Sequence, residues 1–428
     1  MLYFVLVFII EICLLEISKA FSLMNNTDLS SWIFVIVNIL FVLVYLFVLK
    51  STKYSIFFFI ALLLRVAALI FNYYVLRFME TADSEGFHQV ALQNQYSTIQ
   101  SSYTNYTIFL TIIYGLTDSS RIIAQYISVL MGLGNILIIG SILNLLNVSY
   151  KTSRIVLIIL SFQIAAIIFT CGLGRESWEW LFITASVFYF IEWFMSGKGK
   201  YIFMNILCVL LSASMHSGVL FILWGYIISY LTYSPIKKKI KVSMLTMVNM
   251  IILAICIFIF LPYLTFFAER FQNLDVQEAL MKNVNVVNVG GSAYLSWMSA
   301  SNIWECLLFS PLTIFYFFFS PIPFDWRNFQ DIVVFCLDST IYIWLFYQIY
   351  KKNKKLRDNQ LKLLVRYLLI SIISLAFIFS FGTKNSGTAM RHRLKIIPLI
   401  FVVYAIVTDG SKTRKTIKET NIIGINGK

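Results

Sequence analysis

The sequence has little charge, little proline and almost no histidine: Asp, Glu, Lys and Arg make up 13% of 428 residues, with 6 Pro and 3 His. Against 59% hydrophobic and 17% aromatic residues, so little polar side chain cannot cover a water-soluble fold of this length, which excludes a soluble enzyme. The 6 cysteines, Cys13, Cys171, Cys208, Cys256, Cys306 and Cys336, stand singly, mostly within apolar runs and without CxxC spacing. They support neither a disulfide framework nor a cysteine metal site. Period-two alternation is also missing, so a membrane β-barrel is excluded. Internal repeats, low-complexity segments and loops long enough for a soluble domain are absent as well.

What is present is apolar sequence in long runs. Six runs reach the roughly 20 residues of a spanning helix directly, and about six more do so across a few polar residues. Backbone in lipid must satisfy its own hydrogen bonds, so the spans are helices. The predicted fold class is all-α: a single polytopic integral membrane domain over 1–428. MLYFVLVFII lacks a basic n-region and is followed by Glu11 and Glu16, so it is read as a retained first span.

The net charge of +14 would suit nucleic acid, but its placement points elsewhere. Lys50/Lys53, Lys151/Arg154, Lys198/Lys200, Lys237 to Lys241, Lys351 to Arg366 and Lys412 to Lys418 each lie at the end of an apolar run. By the positive-inside bias they are cytoplasmic anchors. Placing all of them inside predicts about twelve helices, near 2–18, 32–49, 54–78, 122–146, 155–173, 177–195, 201–215, 217–233, 242–266, 329–350, 362–381 and 394–409, with both termini cytoplasmic. A first outer loop over 79–121 then carries an amphipathic segment, and a larger one over 268–328 carries an interfacial or re-entrant segment, with Pro311, Pro321 and Pro323 breaking it.

This orientation puts all three histidines outside. Asp83 and Glu85 in the first outer loop could serve as a general base or as ligands for a divalent cation, or could be a solvated acidic turn; His88 follows them. Arg175 and Glu176 in GRES open a span, where a cation adds to the anion preference of a helix N-terminus, or where Arg175 simply pairs with Glu179. His216 in SASMHSG suits proton transfer or donation to phosphate oxygens. The block Gly382 to Arg393, GTKNSGTAMRHR, is the strongest basic exception to the inside bias. It offers Asn385 as a donor and Arg391, His392 and Arg393 as a grip for phosphate. If the last span starts after the block, Arg391 and Arg393 converge on one anion; if the helix starts earlier, Arg391 pairs instead with Lys395. Arg65, Glu11 and Asp338 come to similar depths in their spans, and a buried pair among them is expected.

Through Asp83 and Glu85, GRES, ASMHSGVLF and NSGTAMRHR the chain resembles bacterial polysaccharide repeat-unit polymerases of the Wzy type, including the EpsG-like branch, and more broadly glycosyltransferases of the GT-C class. The resemblance implies a multi-pass enzyme of the bacterial cytoplasmic (inner) membrane that works at the outer face. It would make O-antigen, capsule or exopolysaccharide by moving a glycan from an undecaprenyl-pyrophosphate donor to a lipid-linked acceptor repeat. It implies a catalytic set of Asp83, Glu85, His216 and Arg175. Glycan and pyrophosphate would be held by Arg175, Glu176, His88, Arg270, Asn385, Arg391, His392 and Arg393. No cofactor and no metal ligand is assigned, with a divalent cation left open by the acidic loop. The implied partners are the lipid-linked oligosaccharide and membrane lipid, not nucleic acid, alongside a flippase and a chain-length regulator of the same pathway. A polyprenyl-phosphate-sugar transferase and a lipid-linked-oligosaccharide flippase or transporter are the competing readings.

Overall fold

The computed structural model describes residues 27–48, 55–75, 77, 82–96, 105–240, 292–298 and 303–410. The predicted spans at 2–18 and 242–266, Glu11 and Arg270 lie outside them. The described residues are mostly helical. Four helices among them are long and apolar enough to cross a membrane, or five if a bent pair counts as one span. The chain is therefore an all-α membrane protein. It divides into two units, residues 1–137 with 157–181, and residues 138–156 with 182–428.

In the first unit, α1 (Thr27–Val48) and α2 (Ser55–Tyr74) precede a pair of shorter helices, α3 (Ala82–Tyr96) and α4 (Asn105–Thr117). Phe87 and Ala91 of α3 pack on Tyr106, Leu110 and Tyr114 of α4, with Leu173 closing the cluster. The long α5 (Arg121–Leu145) follows, then α6 (Tyr150–Phe162) and α7 (Ile164–Cys171). α6 and α7 form one apolar stretch bent by 49°. The bend falls at Gln163, whose backbone is extended, and it releases carbonyls from the helical ladder. Arg65, fully buried on α2, takes them: its guanidinium donates to Ser161 O and Leu160 O, both at 3.4 Å, and also to Ala61 O of its own helix at 3.3 Å. Of the three charges among which a buried pair was expected, Glu11 lies outside the described residues, and the Arg65 cation is met by backbone carbonyls.

The second unit contains most of α8 (Glu176–Ser196), then α9 (Lys200–Met215), a 3-10 turn over Ser217–Ile222 and α10 (Leu223–Thr232). After the strand pair β1 (Tyr233–Ser234) and β2 (Lys239–Ile240) come α11 (Ile303–Phe319), α12 (Phe329–Val334) with a π-turn to Ser339, α13 (Thr340–Asn353), α14 (Asn359–Phe381), α15 (Ser386–Arg393) and α16 (Ile397–Gly410). Asp358 starts α14 by accepting from Leu361 N at 2.9 Å, and Asn328 starts α12 by accepting from Asp331 N at 3.0 Å. The break expected within 303–320 does not occur at Pro311, which sits inside a continuous helix. Proline cannot donate to Leu307 O, but the Ser310 hydroxyl does so instead at 2.8 Å. The helix ends only at Ser320, where Pro321 and Pro323 follow.

Contacts in this unit sort its helix ends into two sets. Asp409 accepts from Ser149 N at 2.7 Å and from Thr152 Oγ1 at 3.1 Å, Lys352 donates to Thr408 at 3.2 Å, and Thr232 meets Tyr367 Oη at 2.8 Å. These ends carry Lys151, Lys200, Lys237, Lys351 and Lys362. At the opposite ends of α9 and α14, His216 approaches the block after Phe381, and Thr313 meets Ser380 at 3.1 Å.

Candidate functional site

The predicted site residues that are described fall into two groups, one in each unit. In the first unit, Glu85 is committed. It forms an ion pair with Arg121 at 2.9 Å and accepts from Gln89 at 2.8 Å. Asp83 lies a half-turn away in the first turn of α3. His88 Nδ1 is 2.6 Å from the Tyr114 hydroxyl. Burial pulls the His88 pKa below its usual value, with Glu85 opposing the shift and Arg77 adding to it. Arg175 lies over the Phe87 ring, 6.0 Å from its centre, and pairs with the buried Glu179 at 3.2 Å. The bland alternative for Arg175, an i,i+4 ion pair, is therefore formed, yet the side chain stays partly exposed beside α3. Glu176 is buried at the start of α8. Among the described residues, no three His, Cys, Asp or Glu side chains converge as metal ligands.

In the second unit, the block from Gly382 folds as a capped helix, because Asn385 Oδ1 accepts from Gly387 N at 2.9 Å and from Thr388 N at 3.2 Å. Asn385 is thus a helix cap, its carbonyl oxygen spent on the backbone. Residues 292–298 dock along the block: Tyr294 N donates to Lys384 O at 2.9 Å, Ser386 N donates to Ser292 O at 2.9 Å, and Tyr294 Oη donates to Thr383 O at 2.8 Å. Helix α15 begins before the arginines, so Arg391 and Arg393 point apart.

Arg393 is not available as an anion grip. It is 0% exposed; its guanidinium donates to Asp338 Oδ2 at 2.7 Å, Phe317 O at 2.6 Å and Ser320 Oγ at 2.9 Å, and lies over the Tyr342 ring. Asp338 sits on the π-turn between α12 and α13, which turns its carboxylate toward α15. Of the two alternatives for the block, the convergence of Arg391 and Arg393 is not formed, and the pair becomes one buried strut and one partly exposed cation, Arg391.

His216 and His392, far apart in sequence, do meet. Their ring centroids are 5.1 Å apart and edge to face, and Phe379 stacks on His392 at 4.8 Å while touching His216 at 5.2 Å. Gly218 makes the approach feasible, since a Cβ there would lie 3.0 Å from Phe379 and 3.4 Å from the His216 ring. Beneath them Lys395, 1% exposed, places Nζ 2.8 Å from His392 Nδ1 and 4.8 Å from the Phe379 ring centre. Phe379 was not a candidate from sequence, and Lys395 entered only as an alternative neighbour of Arg391, not of His392. The lysine's i+3 spacing from His392 was the visible signal, whereas nothing distinguished Phe379 from the apolar residues around it. Asp325 is a third residue the motifs did not mark: partial burial holds its carboxyl above the usual range, against the pull of Arg327. No protein-family model, curated protein or solved structure matches the chain.

Proposed function

We propose that the protein is a polysaccharide repeat-unit polymerase of the GT-C type in the bacterial cytoplasmic membrane, with about twelve spans, both termini inside and its chemistry at the outer face. The observation that carries this reading is the contact of His216 with His392 and the cationic block, at helix ends opposite those bearing the lysines. Permanent cations at the membrane edge and away from the anchoring side suit a substrate that is anionic and lipid-borne. The substrate is an undecaprenyl-pyrophosphate oligosaccharide. The acceptor hydroxyl attacks the anomeric carbon of the donor sugar, the carbon–oxygen bond to pyrophosphate breaks, and the hydroxyl proton passes to His216. The polyprenyl pyrophosphate leaves with its charge facing Arg391, whose fork geometry fits phosphate oxygens. Glu85 is a poorer base than His216 because its carboxylate is already engaged by Arg121 and Gln89. Arg175 remains a further candidate cation on the first unit. In a cell lacking the chromosomal copy, Arg391→Ala is expected to abolish long-chain glycan at normal protein level, and Arg175→Ala to abolish it as well. Wild-type chain length in the Arg391 variant would remove the anion site.

A second reading, a lipid-linked-oligosaccharide flippase, has one observation in its favour. A fully buried arginine held by the carbonyls of a broken helix, as Arg65 is, also suits transporters with discontinuous spans. The genetic phenotype separates the two, because a flippase defect leaves no repeat units outside whereas a polymerase defect leaves single ones.

A further inference from the structure

The Lys395–His392 contact fixes more than position. An ammonium has three N–H donors and no lone pair to accept with, so at 2.8 Å a charged Lys395 Nζ donates and His392 Nδ1 is the acceptor. The buried ammonium is further held by the face of Phe379. A neutral imidazole whose Nδ1 accepts must carry its proton on Nε2. Among the described residues, the charged and titratable groups about His392 include Lys395 and Arg391 on its own segment and His216 from the turn after α9. Phe379, from α14, is apolar, and Arg393 is turned away into Asp338.

We propose that Lys395 is a positioning residue that locks His392 as the Nε2–H tautomer, making His392 a fixed hydrogen-bond donor to a substrate oxygen and leaving proton removal to His216. This division of labour rests on the transferase reading. The two rings would otherwise compete for the same proton, since both have the same intrinsic basicity and lie in contact. The lysine breaks that symmetry from beneath, where it is shielded from water. A phosphate or sugar hydroxyl oxygen is the chemical class such a donor serves.

The chain has only three histidines, so the tautomer can be read directly. Full-length protein carrying 15N-labelled histidine, in liposomes, is measured by solid-state NMR at pH 8, with signals assigned from His88→Gln and His216→Gln. His392 is expected to show a proton-bearing Nε2 and a bare Nδ1; Lys395→Met is expected to abolish that single pattern, and Lys395→Arg to retain it. Glycan chain length is expected to fall with Lys395→Met and recover with Lys395→Arg. A proton on Nδ1 in the wild-type protein overturns the proposal, as does an unchanged His392 spectrum in Lys395→Met. The wild-type spectrum decides the matter even where Lys395→Met does not fold. These spectra need no substrate. A null strain with unchanged surface glycan defeats the transferase reading alone and leaves the tautomer result standing.

Discussion

Arg391 and Arg393 differ by two positions and by almost everything that matters physically. Arg393 has no exposed surface and spends its donors on Asp338 and on the carbonyls and hydroxyl at the end of α11. Arg391 is partly exposed at the same helix turn. Removing one partner of a buried ion pair leaves an uncompensated charge and costs about 3–5 kcal/mol. Arg393→Ala is therefore expected to lower the thermal midpoint of the detergent-solubilised protein sharply and to reduce its yield. Arg391→Ala is expected to lower the midpoint less than Arg393→Ala does, while glycan polymerisation is lost. Equal stability of the two variants would contradict the strut. From sequence the two arginines were equivalent, since a linear motif carries no information about which side of a helix meets an acidic residue on the π-turn near position 338.

Among elements, the close approach of α10 to α14 depends on Gly225. A Cβ there would meet Tyr367 O and Ser371 Oγ, and would lie 2.9 Å from Ser371 N. Backbone cannot yield as a flexible side chain can, so Gly225→Ala is expected to destabilise by about 1–3 kcal/mol. At Gly115, within α4, nothing lies within 4 Å, and alanine is expected to stabilise by roughly 0.5–1 kcal/mol through helix propensity alone. Chemical unfolding in mixed micelles checks both signs. Helix positions were the most legible part of the fold. Apolar runs at 122–146, 177–195 and 201–215 became Arg121–Leu145, Glu176–Ser196 and Lys200–Met215, because apolar length is what a bilayer demands of a helix. Two irregularities were not legible. The bend at Gln163 has neither proline nor glycine to announce it; its stabilisation comes from Arg65, about a hundred residues away. Conversely Pro311 announced a break that the Ser310 hydroxyl repairs. Both outcomes turn on a side chain supplying or taking up a backbone hydrogen bond, which periodicity does not register.

For the whole molecule, the decisive question is orientation. Positive-inside bias orders the loops from composition alone, and within the second unit the contacts at Thr408, Asp409 and Tyr367 gather lysine-bearing ends together. The candidate chemistry was legible as a set of residue types, His216 and the terminal block among them, but not as a geometry, since the meeting of two imidazoles across Phe379 depends on how α9 and α14 pack. In a cysteine-free background, Gly387→Cys is expected to react with a membrane-impermeant maleimide in intact spheroplasts, and Lys354→Cys only after permeabilisation. The reverse pattern would put the block in the cytoplasm and remove the proposed outer-face site.

Polymerisation of repeat units is the central claim, and electrophoresis of surface polysaccharide from a null strain tests it most directly. Single-repeat products in place of a ladder, with the ladder restored by the wild-type gene and not by Arg391→Ala, are expected. A full ladder in the null strain, or complete absence of repeat units from the outer face, would contradict a polymerase.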